Sequence, residues 1–152
     1  MRNHFAISLA LITLVNFTSV QAAEFATAKD AEALVGKAIS HIKTDGKEKS
    51  YADFTGKKAG WADRDLYVVV YDLTGKVLAH GQNAKQVGMD LIGITDADGK
   101  EFVKERVDLA KSKGKFWQDY KFTDPVSKKI LPKSMYCEKL DDTVVCSGIY
   151  KR

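Results

Sequence analysis

The stretch DLYVVVYDLTGKVLAHG, from Asp65 to Gly81, leaves the chain few ways to fold. Two apolar runs rich in β-branched and aromatic residues flank Leu73-Thr74, which marks a β-hairpin. With the turn centred on those two residues, Tyr71 faces Lys76, Val69 faces Leu78 and Tyr67 faces His80. Tyr67, Val69, Tyr71, Leu78 and His80 then share one side of the sheet, and Leu66, Val68, Val70, Val77 and Ala79 share the other. The second side is wholly apolar and suits burial under a helix. The first sets an imidazole and two phenols among aliphatic residues, a wall that solvates a small polar ligand while excluding bulk water. His80 also has a plainer reading, in which it hydrogen-bonds a loop carbonyl and closes the hairpin.

A helix for the apolar side lies upstream. From Ala26 to Lys43 the residues Ala28, Ala31, Val35, Ala38 and Ile42 recur at intervals of three and four, and Leu34 and Ile39 widen the stripe. Asp45-Gly46 interrupts this helix, and KEKSYADF resumes it as a short one until Gly56 and Gly60. After the hairpin and a loop, KEFVKERVDLAKSKG reads as a further helix with Val103, Val107 and Ala110 in phase. The remainder has period two: Phe116, Gln118, Tyr120 and Phe122 alternate with Trp117, Asp119 and Lys121, and Asp124-Pro125 turns the chain toward ILPKSMYCEKL. Five strands, mostly neighbours in sequence, predict an α+β domain with a long N-terminal helix packed on a five-stranded antiparallel sheet.

The closing segment MYCEKLDDTVVCSGIY carries both cysteines. If Asp141-Asp142 is a two-residue turn, Leu140 pairs with Thr143, Lys139 with Val144, Glu138 with Val145 and Cys137 with Cys146. The cysteines then form a non-hydrogen-bonded pair, where side chains sit closest and a disulfide is feasible. Two free buried cysteines are the alternative; a reactive redox pair would call for the shorter C-x-x-C spacing.

Residues 1–22, MRNHFAISLALITLVNFTSVQA, combine a basic start, an apolar run from Phe5 to Val15 and a small-residue end, which predicts a cleaved secretory leader and a periplasmic product spanning residues 23–152. An uncleaved anchor is the alternative, but the run reaches about half of the roughly 20 residues that span a bilayer. Export makes the disulfide chemically permissible. The formal charge of +4 falls by one when Arg2 leaves, and the lysines are dispersed among acids, so nucleic acid is not an expected partner.

Together DLYVVVYDLTGKVLAHG, VGMDL, DADGKEFVKE, GKFWQDYKFTDPVSKKILPKSMY and VVCSGIY resemble the single Cache domain family of extracytoplasmic sensors, over nearly all of the chain after the leader. The resemblance implies a PAS-like fold whose pocket binds small molecules, often short organic acids of the acetate, lactate or pyruvate class. Members are typically anchored on both sides of the sensor domain and feed a kinase or chemotaxis module. This chain ends just after the last strand, so a standalone form signalling through a separate membrane receptor or kinase is expected, with pairing through the long helix as a further implied contact. The other reading is an interaction protein that docks on a membrane receptor and keeps only a vestigial pocket. Relative to the family pattern the cysteine pair is a local addition, a staple worth about 2–3 kcal/mol for so short a loop.

Matching by motif, the resemblance gives the pocket role to His80, to Trp117 and Tyr120 in FWQDYK and to Lys133 in PKSMY, with Tyr67, Tyr71 and Tyr136 next. Lysine, phenol and imidazole donors converging in an apolar enclosure suit a carboxylate. Strict alternation sets Trp117 opposite Tyr120 and Lys133 opposite Tyr136, so the seven cannot all line one pocket without a bulge.

Other chemistries lack their parts. DADG at residues 96–99 begins like a calcium loop without its later bidentate glutamate, and reads instead as a turn leading into a helix. His41 sits on the long helix away from any cysteine or acidic cluster arranged for zinc, so no metal is expected. Ser134 and Ser147 lie on predicted strands without a nucleophile elbow, so neither catalysis nor a cofactor is expected.

Overall fold

The computed structural model describes residues 24–152; the leader read at residues 1–22 lies outside them. Helix α1 runs Ala28–Asp45. Its start is a capping box, in which the Thr27 hydroxyl accepts from the Asp30 N–H at 3.2 Å and the Asp30 carboxylate accepts from the Thr27 N–H at 2.9 Å. Ala31, Val35, Ala38 and Ile42 are buried along one stripe, whereas Ala28 stays exposed in the first turn. Gly46, at φ 84°, ends α1 and begins α2, Lys47–Thr55. The sequence reading considered His41 only as a zinc ligand and gave it no partner. The structure instead puts carboxylates on both ring nitrogens, Asp45 at 2.7 Å and Asp53 at 2.9 Å, and so ties α1 to α2.

A two-stranded ribbon, β1 Ala62–Asp63 with β2 Leu66–Tyr67, leads into the main sheet of β3 Val69–Asp72, β4 Val77–His80, β5 Lys115–Thr123, β6 Ile130–Leu140 and β7 Thr143–Tyr150. Every pairing in the main sheet is antiparallel, in the order β4-β3-β7-β6-β5. Helix α3, Phe102–Lys113, follows the loop after β4. The predicted architecture is thus the observed one. One face of the sheet buries Val68, Val70, Ala79, Leu140 and Val145 against Val35, Ala38 and Ile42 of α1 and Phe54 of α2. The other buries Tyr67, Val69, Tyr71, Tyr120 and Met135 with Phe102, Val103 and Ala110 of α3.

The first hairpin departs from the predicted register. Val69 pairs with His80, Val70 with Ala79 and Tyr71 with Val77. The cause is Asp72: its carboxylate accepts from the Thr74 N–H at 2.8 Å, the Thr74 hydroxyl at 2.6 Å and the Lys76 N–H at 3.0 Å, which holds a longer turn through Gly75 at φ 99°. Leu78 becomes the extra residue of a bulge. Val77 therefore packs with Tyr71 and Leu78 packs toward the helices, the reverse of the prediction, while Ala79 and His80 keep their predicted sides. The outer edge of β4 is covered by its own loop, since the Val77 N–H donates to Met89 O at 2.9 Å and the Gly88 N–H to Val77 O at 2.8 Å.

The closing hairpin follows its predicted register pair for pair, and Cys137 and Cys146 face each other at a Cα separation of 4.2 Å, joined by a disulfide. DADG forms the predicted turn. One Asp96 oxygen accepts from the Asp98 and Lys100 N–H groups, and the other reaches the edge-strand N–H of Lys121 at 2.9 Å. Among the described residues no helix is long and apolar enough to cross a membrane, and no three His, Cys, Asp or Glu side chains gather as a metal site.

Candidate functional site

Alternation along β5 and β6 divides the seven predicted residues. Tyr120 and Lys133 are buried on the α3 side of the sheet, which Tyr67, Tyr71 and His80 share from the first hairpin. Trp117 and Tyr136 stand on the opposite face with their rings 5.2 Å apart. There Trp117 donates to Glu32 of α1 at 3.2 Å and Tyr136 donates to Glu138 at 2.7 Å. Five of the seven thus converge, and the pleat carries the other two away.

The five gather around two buried basic side chains, Lys133 and Arg106. Lys133 is 1% exposed, and its ammonium nitrogen donates to the Tyr67 hydroxyl at 2.8 Å and the Tyr150 hydroxyl at 3.2 Å. It lies 4.1 Å from the centroid of the Tyr67 ring and 4.7 Å from that of Tyr150. Burial, together with the nearby Arg106, drives the lysine well below its ordinary pKa.

Arg106 is the residue that the sequence reading missed. It projects from α3, is fully buried, and has its guanidinium 5.1 Å from the Tyr120 ring centroid, 5.2 Å from Tyr71 and 5.4 Å from Phe102. Its Nε donates to Gln118 Oε1 at 3.0 Å, and Gln118 is oriented in turn by donating to Phe102 O at 2.8 Å. The guanidinium's charge and hydrogen-bonding pull oppose the upward push that burial gives the Tyr71 and Tyr120 phenols, but neither oxygen meets Nη1 or Nη2 at full hydrogen-bond distance and angle. Both terminal nitrogens are therefore buried donors without an acceptor at hydrogen-bond geometry. The signal was in the helix phase. Phe102, Val103, Arg106 and Ala110 follow the three-and-four spacing of the apolar stripe, so a charged residue occupies a core position.

His80 has two tasks. Its Nδ1 accepts from the Asn83 N–H at 3.0 Å and the Gln82 N–H at 3.2 Å, so it organises the loop through N–H groups and not through a carbonyl. Burial, followed by the charges of Lys133 and Arg106, lowers its pKa to about 3, so the ring is neutral and carries its proton on Nε2. The ring stacks on Tyr67 at 5.3 Å, and both line a cleft of about 350 Å³ shared with Phe122, Thr123 and Asp124. This face of the sheet therefore carries buried basic side chains, aromatic walls and neutral donors, with Asp124 at the cleft.

A five-stranded antiparallel sheet in the order β4-β3-β7-β6-β5, with a long helix across one face and α3 over the other, is a PAS-like fold. Solved structures agree on the fold. A Cache chemosensory domain described for carboxylic acid recognition covers 82% of this chain and 93% of its own at TM-score 0.70 and 21% identity. A methyl-accepting chemotaxis protein from Vibrio parahaemolyticus covers 80% and 86% at TM-score 0.67 and 21% identity. The periplasmic sensor domain of a chemotaxis protein covers 82% and 90% at TM-score 0.65 and 23% identity.

The sequence matches the family Single Cache domain 2 over residues 7–151, and the chain belongs to that family of sensor domains. A curated relative, the sensor histidine kinase MctS of Rhizobium johnstonii, is 32% identical over 89 residues, which is 57% of this chain and 19% of the kinase. The match thus spans about a fifth of that relative's length.

Proposed function

We propose that the domain senses a short organic acid from the periplasmic side, binding its carboxylate between the sheet and α3 and passing occupancy to a separate kinase or receptor. The observation that carries this reading is the pair of buried, acceptor-less Arg106 nitrogens. A carboxylate satisfies both at once in a bidentate pair, the strongest class of neutralising contact open to a buried guanidinium. Tyr71 and Tyr120 wall the guanidinium, Lys133 adds a buried amine donor, and His80 and Tyr67 border the cleft through which the acid enters. Trp117 and Tyr136 support the sheet from behind. The carboxylic acid recognition described for one structural neighbour and the kinase identity of the curated relative support the same ligand class and the same kind of partner.

Size sets the affinity. A ligand of about six heavy atoms has a ceiling near 9 kcal/mol, so micromolar binding is the best such a site offers. The test is a thermal-shift series with acetate, propionate, lactate and pyruvate, each beside its neutral amide. Millimolar acid raises Tm by mass action and the amide does not. If acid and amide act alike, or neither acts on ligand-free protein, the pocket is vestigial and the domain works by docking on a receptor.

A further inference from the structure

Behind the proposed site the chain is fastened by a group that the ligand reading does not use. Asp65 and Asp124 are both fully buried, and the guanidinium of Arg152 bridges them, Nη1 to Asp65 Oδ2 at 3.1 Å and Nη2 to Asp124 Oδ1 at 3.0 Å. The other Asp65 oxygen accepts from the Ala26 N–H at 2.9 Å, and the guanidinium lies 3.6 Å from the Phe25 ring centroid. A side chain after β7 thus joins Arg64, whose Nη1 donates to Phe25 O at 3.0 Å, in holding the segment that leads into α1. Two buried carboxylates need this cation, because a buried charge stripped of its partner is strongly destabilising.

The same residues adjoin the Lys133 chamber. Tyr150, which accepts from Lys133, donates to Thr123 O at 2.8 Å, immediately before Asp124. Asp65 and Asp124 favour the charged form of Lys133, against burial and the repulsion of Arg106. An anion beside Arg106 cancels that repulsion, and Lys133 then pulls harder on Tyr150 and on the two carboxylates that Arg152 holds.

We propose that Arg152, Asp65 and Asp124 form a clasp that couples the Lys133 chamber to the two chain segments meeting beside it, residues 24–27 before α1 and residues 151–152 after β7. The ligand-dependent half of this proposal rests on the carboxylate reading above; the coupling of Lys133 to the clasp does not.

Amide hydrogen exchange at residues 24–27, read by mass spectrometry on the full chain, tests it. In ligand-free protein Arg152→Gln speeds exchange in that segment about tenfold or more, and Phe25→Ala, which removes only the stacking, does so less. Unchanged exchange in both overturns the clasp. In the unsubstituted chain, an acetate, propionate or pyruvate concentration that raises Tm also slows exchange at residues 24–27. In Arg152→Gln the same acid still raises Tm but leaves the segment unaffected. A raised Tm with no change in exchange in the unsubstituted chain, or a segment still responsive in Arg152→Gln, overturns the coupling. If no acid raises Tm, the ligand reading fails instead, and Lys133→Met decides the coupling: altered exchange at residues 24–27 sustains it, and identical exchange removes it.

Discussion

The two faces of one sheet solve opposite problems. Toward α1 and α2 the strands present Val68, Val70, Ala79, Leu140 and Val145, and no charged side chain is fully buried there among the described residues. Toward α3 the same strands enclose Arg106, Lys133 and His80 among aromatic rings. Apolar burial makes the first face a source of stability. Desolvated charge makes the second a cost, because Arg106 is held away from bulk solvent with Nη1 and Nη2 unmatched by any protein acceptor. On the proposed function, the face that costs stability is the one that binds, and the apolar face is the one that holds the fold together.

The sharpest way to break this contrast is on the helix side. Phe54 is fully buried against α1 and meets Trp61 edge-on at 4.6 Å, so Phe54→Ala costs about 3–5 kcal/mol in urea unfolding. The change leaves the affinity for an organic acid, measured on folded protein, intact. A loss of acid affinity out of proportion to unfolding would show the two faces to be one system.

On the polar face the next effect is pH dependence. His80 is held neutral with its pKa lowered to about 3, whereas the unfolded chain takes up a proton near 6.5. The unfolded state therefore binds more protons in between, and stability declines as pH falls through that window, by up to about 1.4 kcal/mol per pH unit. The window opens above the range in which carboxylates protonate. Urea unfolding from pH 6.5 down to 4 detects the slope, and His80→Asn, which keeps an acceptor near the Nδ1 position, removes its share. An unchanged slope in the variant would mean that the imidazole is not the group held neutral.

The smallest effect is expected at Trp117. It is partly exposed, and Glu32 on α1 is its hydrogen-bond partner, so Trp117→Phe shifts stability by no more than about 0.5 kcal/mol and leaves acid binding as it was. A tenfold loss of affinity would return Trp117 to the pocket and put the division of faces in doubt.

Some of this was legible in the sequence and some was not, for separable reasons. The β6–β7 hairpin could be registered residue by residue because Asp141-Asp142 is a minimal turn and each strand pairs without interruption, which placed the disulfide as well. The first hairpin looked equally simple, but the Asp72 side chain supports a longer turn and Leu78 bulges, so the cross-strand partners shift even though Tyr67 and His80 still reach the same pocket. Alternation alone separated Trp117 from Tyr120 and Lys133 from Tyr136, and the fold decided which member of each pair faces α3. Arg106 escaped because arginines on amphipathic helices usually carry their charge to the surface; only its position in the stripe marked it. The Arg152 clasp joins residues far apart in the chain, and no local pattern announces it.

The central claim is that Arg106 is kept at a cost because a carboxylate satisfies it. Arg106→Met, which preserves much of the side-chain volume without the charge, measures both halves in one urea-unfolding series with and without a binding acid. The account predicts that the variant is more stable than the parent without ligand, by about 1–3 kcal/mol, and gains nothing when acid is added. A variant that is destabilised without ligand and still stabilised by acid would contradict it, and would make Arg106 a structural residue of the α3 interface.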